Sequence, residues 1–242
     1  FGETVGNPKI NVIDLDAWSA AAHAQGLPFI VDNTAPTPYL CRAFDHGVDV
    51  SVHAATKYIG GHSDVLLGVI VCNDATAGAM HRIWTDMGVA VSTDDAFLGL
   101  RGLRTLATRL ARHQASALRV ASWLRTREGV REVLYPALPG ARGHDLWKRD
   151  FRLATGLFTI ALDSVPAHER LAAMLDRMRL FRMGWSWGGY ESLVIPTDPN
   201  RLRTVSRIDL GGPCLRLHVG LEDPDDLIAD LDEGFRRLHG RT

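Results

Sequence analysis

The stretch Val52–Asp64 reads VHAATKYIGGHSD and places one lysine, Lys57, among small and apolar neighbours. An alternating apolar run at residues 48–52 leads into this stretch and predicts a buried strand. A second apolar run, Leu66–Cys72, follows it and predicts another strand. Lys57 therefore lies in a short irregular segment between two strands, at the kind of sheet edge where α/β proteins bind ligands.

Lys57 has two interpretations. Most lysines are solvated surface residues, and taken alone this one would be too. However, no Asp, Glu, Lys or Arg lies within six positions of it in the sequence. A poorly hydrated amine has a lowered pKa and attacks carbonyl groups to form a Schiff base. The flanking residues therefore favour a carbonyl-reactive amine over a solvated one.

The segment before this stretch predicts a βαβ unit. A helix is predicted within residues 11–26. Asp14 or Asp16 can cap this helix, and Gly26 ends it. Leu27–Val31 follows as a short apolar run that is typical of a buried parallel strand. Strand, helix and strand in this order indicate a right-handed crossover and a parallel sheet.

Asp32 directly follows that predicted strand. It and Lys57 are therefore expected at the carboxyl ends of parallel strands, on the ligand-binding edge of the sheet. Asp-Asn-Thr is also a common turn or helix cap. As a functional group, a carboxylate here would keep the pyridine nitrogen of a cofactor protonated. Spacing alone leaves both interpretations open.

The run HAATKYIGGHSD resembles the cofactor-lysine motif of the Cys/Met-metabolism family of pyridoxal-phosphate enzymes, and the resemblance extends over essentially the whole chain. The family includes cystathionine β-lyases, cystathionine γ-synthases and γ-lyases, methionine γ-lyases and O-acetylhomoserine sulfhydrylases. The resemblance implies that pyridoxal 5'-phosphate binds covalently to Lys57, which later serves as a general base. Ala54 stands where the family commonly has serine, which leaves Thr56 as the hydroxyl predicted for the cofactor phosphate.

The resemblance also implies the fold, the α/β aminotransferase-like (type I PLP) fold. Residues 1–105 would be part of a mainly parallel-sheet cofactor domain, and residues 106–242 a smaller α+β C-terminal domain. The Glu-x-x-x-Asn-Pro segment at Glu3–Pro8 lies well inside family chains. The chain is therefore expected to be the C-terminal part of a longer protein. Family members are typically homotetramers, so a homo-oligomer is expected.

A long helical region is predicted from a cap at residues 92–95 onward, with an apolar stripe and arginines on its other faces. Gly99 and Gly102 leave open whether one helix bends or two helices meet. The arginines, which include Arg109, are predicted to form a solvated or subunit-contacting face. Further along, strands are predicted at residues 130–135, 157–162 and 214–223, and helices at residues 167–179 and from Pro224, capped by Asp223.

Three more site residues come from a second motif. Trp185, Ser186 and Trp187 belong to a run that resembles the family's Ser-x-Gly-Gly-x-Glu-Ser-Leu segment beside the substrate pocket. Tryptophan is usually mostly buried, so the alternative is that both indoles fill the core. The resemblance likewise places Asp32 at the cofactor nitrogen and Asn7 near the cofactor's phenolic oxygen, although Asn-Pro is also a common turn.

Arg216 lies inside an apolar strand and therefore requires a carboxylate partner. That partner is either a protein acid, such as Glu191 or Glu222, or the α-carboxylate of an amino-acid substrate gripped by two guanidinium nitrogens. The segment Arg-x-x-x-Gly-Leu-Glu resembles the family's, which implies the substrate.

Composition excludes several other classes. Lys plus Arg (27) nearly balances Asp plus Glu (28), so the net charge does not favour binding to nucleic acid or to an anionic membrane. No apolar run is long enough to span a bilayer. His53 and His62 have no third ligand at metal-like spacing, so no metal is predicted, and no Gly-x-Gly-x-x-Gly motif predicts a nicotinamide site. Three widely spaced cysteines suggest a reducing compartment, the cytoplasm.

The predicted function is a carbon–sulfur β-lyase that cleaves cystathionine or related cysteine thioethers to a thiol, pyruvate and ammonia. Within the family, the aromatic residues Trp185 and Trp187 favour this branch, whereas the opening Glu3–Pro8 segment is more like the sulfhydrylases and γ-elimination enzymes. The alternatives are therefore γ-elimination or γ-replacement, and a non-catalytic binding module that has kept the fold.

Overall fold

The computed structural model describes residues 1–201, 203–205 and 207–241. Its strands and helices follow in chain order: β1 (Gly2–Glu3), β2 (Val5–Gly6), β3 (Asn11–Val12), α1 (Leu15–His23), β4 (Ile30–Asp32), α2 (Thr37–Leu40), a 3-10 helix (Ala43–His46), β5 (Val50–Ala54), β6 (Gly68–Cys72), α3 (Asp74–Met87), α4 (Thr93–Leu124), β7 (Val130–Leu134), α5 (His144–Asp150), β8 (Leu157–Leu162), α6 (His168–Leu175), β9 (Arg182–Met183), β10 (Leu193–Thr197), β11 (Cys214–His218) and α7 (Pro224–Leu238). They form two main sheets.

The first sheet has the strand order β1-β4-β5-β6. Its first three strands are parallel, as the βαβ pattern predicts, and β6 returns antiparallel to β5. Asp32 pairs with Val52 across β4 and β5, so Asp32 and the segment that carries Lys57 leave the sheet at the same edge. The parallel register thus provides the common edge on which the predicted site depends.

Helix α1 is shorter than predicted. Asp14 is its N-cap, with a side-chain oxygen that accepts a hydrogen bond from the Ala17 N–H at 3.3 Å. Residues 11 and 12, predicted as helical, instead pair with Val5 and Gly6 in a two-stranded sheet. Backbone pairing therefore overrides helix propensity before the cap.

Helix α4 is one continuous helix of 32 residues, capped by Ser92. Gly99 and Gly102 do not interrupt it. A Cβ at Gly102 would lie 2.3 Å from the carbonyl oxygens of both Ile59 and Gly60, so this glycine lets α4 approach the backbone that follows Lys57. Residue 105, the predicted domain boundary, lies inside this helix, and the division at that point stays a prediction.

The second sheet has the order β7-β8-β11-β10-β9 and is antiparallel except between β9 and β10. The largest apolar core lies between its strands and helices α4, α6 and α7. The prediction for α7 is confirmed from its cap at Asp223, while α6 ends earlier than predicted. The sequence analysis missed α3, α5 and β10. Pro196 interrupts the apolar run of β10, and α3 has no buried side chain, so periodicity gave little signal.

The β6 edge of the first sheet is apolar and exposed. Strand β6, the adjoining helix α3 and the first turns of α4 contribute to it. The large exposed side chains on these elements are Val69, Ile70, Val71, Ile83, Trp84, Met87, Phe97, Leu100 and Leu103, and Leu66 just before β6 is exposed as well. Exposed apolar surface of this extent is typical of surfaces that contact another molecule. Among the described residues, no helix is long and apolar enough to cross a membrane.

Candidate active site

Lys57 lies in a tight turn after β5. Its backbone N–H donates to the Ala54 carbonyl at 3.0 Å, and its carbonyl accepts from the Gly61 N–H at 2.7 Å. The side chain is half-buried. Its Nζ donates to Ser186 Oγ at 2.9 Å and lies 5.2 Å from the ring centroid of Trp187. The structure therefore brings together three residues that the sequence predicts at the site, from two distant segments.

The Lys57 amine has a pKa below the usual lysine value. Burial is the main cause, and the positive charge of Arg216 adds to it. Both effects disfavour the ammonium form, so a larger fraction of the amine is neutral near pH 7 than for an exposed lysine. A neutral amine is the form that attacks a carbonyl or accepts a proton.

This shift predicts a difference in reactivity between lysines. Without cofactor, Lys57 is expected to react with an acylating reagent faster than the exposed Lys148 near pH 7, and the midpoint of its rate–pH profile is expected at lower pH. Peptide mass spectrometry at a series of pH values measures both rates in one sample. Equal midpoints for the two lysines would contradict the shift.

The segment Trp185–Gly189 packs directly onto the Lys57 turn. Gly188 has a φ of +87°, and a Cβ there would lie 2.8 Å from the backbone nitrogen of Tyr58. Only glycine suits both the conformation and the spacing. Trp187 is 8% exposed and packs on Tyr58, so its indole does join the core while its ring still lies beside the amine. Trp185 is 75% exposed and does not fill the core.

Arg216 lies beside the same segment and is only 7% exposed. Its Nη2 donates to the carbonyl oxygens of Trp185 at 2.6 Å and Ser186 at 3.4 Å, and its Nη1 approaches Asn7 Oδ1 at 3.5 Å. Burial lowers its pKa. Within the described part of the chain, the hydrogen-bond acceptors of Arg216 are thus all neutral.

No ion pair of Arg216 occurs within the described ranges. The two protein acids considered as partners are engaged elsewhere. Glu191 accepts from Ser63 Oγ at 2.8 and 2.9 Å, and Glu222 accepts from the N–H and Oγ of Ser192 at 2.7 and 2.8 Å. A buried guanidinium without a carboxylate retains capacity for a bound anion.

Asp32 forms the turn that the sequence suggests as one of its two interpretations. Its Oδ1 accepts from the Thr34 N–H at 2.8 Å. Beside it, Asn33 Oδ1 and His53 Nδ1 are buried and have no hydrogen-bond partner among the described atoms. Unsatisfied buried polar atoms are uncommon and indicate a place where a polar group binds. Among the described side-chain hydrogen bonds, the bond from the Thr34 N–H is the contact that the Asp32 carboxylate makes, and its role at a cofactor nitrogen stays a prediction.

Two other predicted cofactor residues are differently placed. Thr56 Oγ1 donates to the Leu67 carbonyl at 3.3 Å and accepts from the Leu67 N–H at 3.0 Å, so the hydroxyl already bonds within its own loop. Its role at the phosphate stays a prediction. Asn7 is partly buried, and its Oδ1 lies 3.5 Å from Arg216 Nη1.

Arg109 was predicted on a solvated or subunit-contacting face of α4, and this was wrong, because the chain itself buries it. The side chain is buried at 6% exposure. Its guanidinium donates to the carbonyl oxygens of Tyr58 at 2.7 Å, Ile59 at 3.2 Å and Gly102 at 2.7 Å. Arg109 thus fastens the Lys57 turn to α4. Its three- and four-residue spacing from the buried Leu106 and His113 was the signal that could have found it.

Replacing Arg109 with Met is expected to lower the free energy of unfolding by about 3 kcal/mol, because buried carbonyl groups lose their donors. Urea unfolding followed by circular dichroism measures the change. Arg104→Met, at an exposed position on the same helix, is the matched control and is expected to change stability by less than about 0.5 kcal/mol. Similar midpoints for the two variants would refute the structural role of Arg109.

One group of residues has the ligand spacing of a metal site: Asp16, His46 and Asp150. Arg149 pairs with Asp150 at 2.5 Å and with Asp16 at 3.4 Å, while His46 bonds to Asp16 at 2.8 Å. The guanidinium supplies the positive charge that these carboxylates need. The group is therefore an ion-pair network, and nothing else in it indicates a metal.

Comparison with known proteins agrees with the geometry. The family model described as Cys/Met metabolism PLP-dependent enzyme matches residues 1–236. The chain is 44% identical to cystathionine beta-lyase MetC from Escherichia coli over 98% of its own length and 62% of that protein. It is 40% identical to an L-alanine/L-glutamate racemase from Wolbachia pipientis, over 98% of this chain and 59% of the relative.

A solved structure of cystathionine gamma synthase from Xanthomonas oryzae pv. oryzae superimposes with a TM-score of 0.88 at 35% identity, covering 99% of this chain and 63% of that one. The predicted type I PLP fold is thereby confirmed. The chain spans about three fifths of the length of these relatives. On this evidence, the chain belongs to the Cys/Met-metabolism family of PLP-dependent enzymes.

Proposed function

We propose that the chain carries the active site of a carbon–sulfur β-lyase that acts on cystathionine or a related cysteine thioether and uses pyridoxal 5'-phosphate. The observation that carries this proposal is the juxtaposition of a half-buried amine, Lys57, with a buried guanidinium that has no carboxylate partner, Arg216. An amine for an aldehyde cofactor and a cation for an α-carboxylate are the two groups that this chemistry needs. Identity of 44% to a β-lyase supports the branch.

The residues present fit the cofactor. Lys57 would hold its aldehyde carbon, Asp32 its ring nitrogen, and Asn7 would lie near its phenolic oxygen. When bound, the protonated ring accepts the electron pair left on the substrate's Cα. The unsatisfied polar atoms of Asn33 and His53 beside Asp32 support a polar ligand at this edge.

Each protein group then has a defined task. Arg216 binds the substrate carboxylate, which fixes the orientation of the Cα–H bond. The Lys57 amine, released from the cofactor, removes the Cα proton, and its lowered pKa favours the neutral form that this step needs. The thiolate leaves from Cβ with the bonding electrons of the C–S bond. Ser186, Trp185 and Trp187 would border the substrate, and Ser186 accepts a hydrogen bond from the free Lys57 amine.

Other members of the family begin with the same proton removal, so the products distinguish them. Similarity to a gamma synthase and to a cystathionine gamma-lyase from Macaca fascicularis, at 35% identity each, supports γ-chemistry as the second candidate. The racemase relative supports a third outcome, return of the proton to the opposite face.

The test is product analysis after incubation of the purified chain with pyridoxal phosphate and L-cystathionine. Pyruvate with ammonia and a thiol is expected. Formation of 2-oxobutyrate, a new thioether or a D-amino acid in place of pyruvate would move the chain to another branch. If wild type and Asp32→Ala both bind the cofactor but neither forms product, the chain is a non-catalytic binding module.

We also propose a homo-oligomer, a tetramer by resemblance to the family, in the cytoplasm. The exposed apolar face of β6, α3 and α4 supports a polypeptide contact, and the three free cysteines suit a reducing compartment. Sedimentation equilibrium tests the assembly by measuring its mass. A tetramer has four times the mass of the single chain, and the mass of a monomer would exclude the proposed oligomer.

A further inference from the structure

Three buried rings lie behind the Lys57 turn. Tyr58, the residue after Lys57, is fully buried, and its ring centroid is 5.3 Å from that of His113 and 5.6 Å from that of His218. The two imidazoles are 5.2 Å apart. Neither histidine has a role in the proposed chemistry, and a buried histidine pair needs an account of its hydrogen bonds.

His218 contacts both halves of the site. On one side its Nδ1 lies 3.4 Å from Tyr58 Oη. On the other side its Nε2 lies 3.1 Å from the Gly188 nitrogen and 3.1 Å from the Gly189 carbonyl oxygen. The side chain therefore spans from the residue that follows Lys57 to the middle of the segment that carries Ser186 and Trp187.

Strand β11 presents His218 and Arg216 two residues apart, on one face of the sheet. Arg216 holds the carbonyl oxygens of Trp185 and Ser186, and His218 holds the two glycines that follow. Among the described hydrogen bonds, these are the side-chain contacts that fasten the backbone of residues 185–189. If Arg216 turns to a substrate carboxylate, His218 is the group that still holds the segment.

Burial, and then the neighbouring His113, lower the pKa of His218 to about 3, so the imidazole is neutral. A neutral imidazole has one donor and one acceptor nitrogen. With hydrogen on Nε2, it donates to Gly189 and accepts from the Tyr58 hydroxyl. With hydrogen on Nδ1, it donates to Tyr58 and accepts from the Gly188 N–H. Either tautomer joins the Lys57 turn to the glycines.

We propose that His218 is a positioning residue: its imidazole ties Tyr58 to Gly188 and Gly189 and thereby sets the distance between the Lys57 amine and the Ser186–Trp187 wall. This role rests on the proposed function, because the wall borders a substrate only if the site is catalytic. The link itself is a feature of the protein and is measurable without turnover.

Two polar variants separate the two halves of the link. His218→Gln places an amide near Nε2 and keeps bonds to the glycines, whereas His218→Asn is too short to reach them. In the full chain with cofactor, His218→Asn is expected to raise KM for L-cystathionine by roughly tenfold to hundredfold, with a smaller change in kcat. His218→Gln is expected to show only a small part of this increase in KM. His113→Asn is the matched control. His113 lies in the same cluster but bonds to the Val219 carbonyl at 2.8 Å.

A second measurement does not depend on turnover. In His218→Asn without cofactor, the loosened segment is expected to hydrate Lys57, so the midpoint of its acylation rate–pH profile moves upward relative to wild type and to His113→Asn. If wild type forms no product, the proposed function fails while this profile still tests the link. Equal profiles and equal KM values in His218→Asn and wild type, or the same changes in His113→Asn, would overturn the positioning role.

Discussion

Lys57→Ala is expected to lower the rate of product formation by at least about a thousandfold. The variant loses both the covalent anchor of the cofactor and the base that removes the Cα proton, and a positioned general base alone contributes about 10²–10⁴-fold. Residual binding of the cofactor through its ring and phosphate is compatible with this loss. The rate of pyruvate formation from L-cystathionine is the measurement, with the amount of folded protein matched by circular dichroism.

The control for this prediction is Lys148→Ala, because Lys148 is exposed and lies on α5. The chain has only three lysines, Lys9, Lys57 and Lys148, so borohydride reduction of the cofactor-loaded protein followed by peptide mapping gives a clear assignment. The cofactor is expected on the peptide that contains Lys57. Its appearance on either other lysine, or wild-type turnover in Lys57→Ala, would remove the basis of the proposed mechanism.

The sequence identified Lys57 and Asp32 because each is set by local pattern. A run of small and apolar residues marks the lysine, and a short apolar strand ends at the aspartate. Their shared edge then follows from parallel pairing, which the βαβ order predicts. The strand register brings them together, since Asp32, the last residue of β4, pairs with Val52 of β5, five residues before Lys57.

Arg109 and His218 could not be identified in the same way. Their contacts to the Lys57 turn join residues 51 and 160 positions apart in the chain. Helical spacing placed Arg109 near the buried stripe, but an arginine on a mostly polar helix is usually solvated. Two of the three carbonyl groups that bind it, those of Tyr58 and Ile59, belong to a distant turn, and the sequence of α4 does not specify them. Contacts of this kind depend on tertiary packing.

The exposed start of α4 shows the reverse case. Leu103 belongs to the predicted apolar stripe, yet it is 48% exposed, whereas Leu106 and Leu110 in the same stripe are buried. Amphipathic patterning therefore identifies which residues form the apolar face of the helix. It does not identify which part of that face the rest of this chain covers. The same is true of β6, whose apolar residues predict burial but lie on an open face.

Arg216→Leu is expected to lower kcat/KM for L-cystathionine by roughly a hundredfold to a thousandfold, mainly through KM. Hydrogen bonds to charged groups contribute about 1.5–3 kcal/mol each, and the paired guanidinium nitrogens would make two to the substrate carboxylate. Leucine fits an apolar strand, so folding is expected to survive the change. Steady-state kinetics measure the effect, and Arg182→Leu, at an exposed position on β9, is the control.

A thermodynamic cycle makes the assignment specific to the carboxylate. L-cysteine and its decarboxylated counterpart 2-aminoethanethiol are compared as competitive inhibitors of wild type and Arg216→Leu. If the guanidinium binds the carboxylate, wild type prefers the amino acid strongly, the variant loses most of this preference, and the binding of the amine changes little. A variant that weakens both inhibitors equally would show that Arg216 acts by holding the Trp185–Ser186 backbone instead. The structure already contains the hydrogen bonds for that second role, so the difference between the two inhibitors, rather than the loss of activity, decides what Arg216 binds.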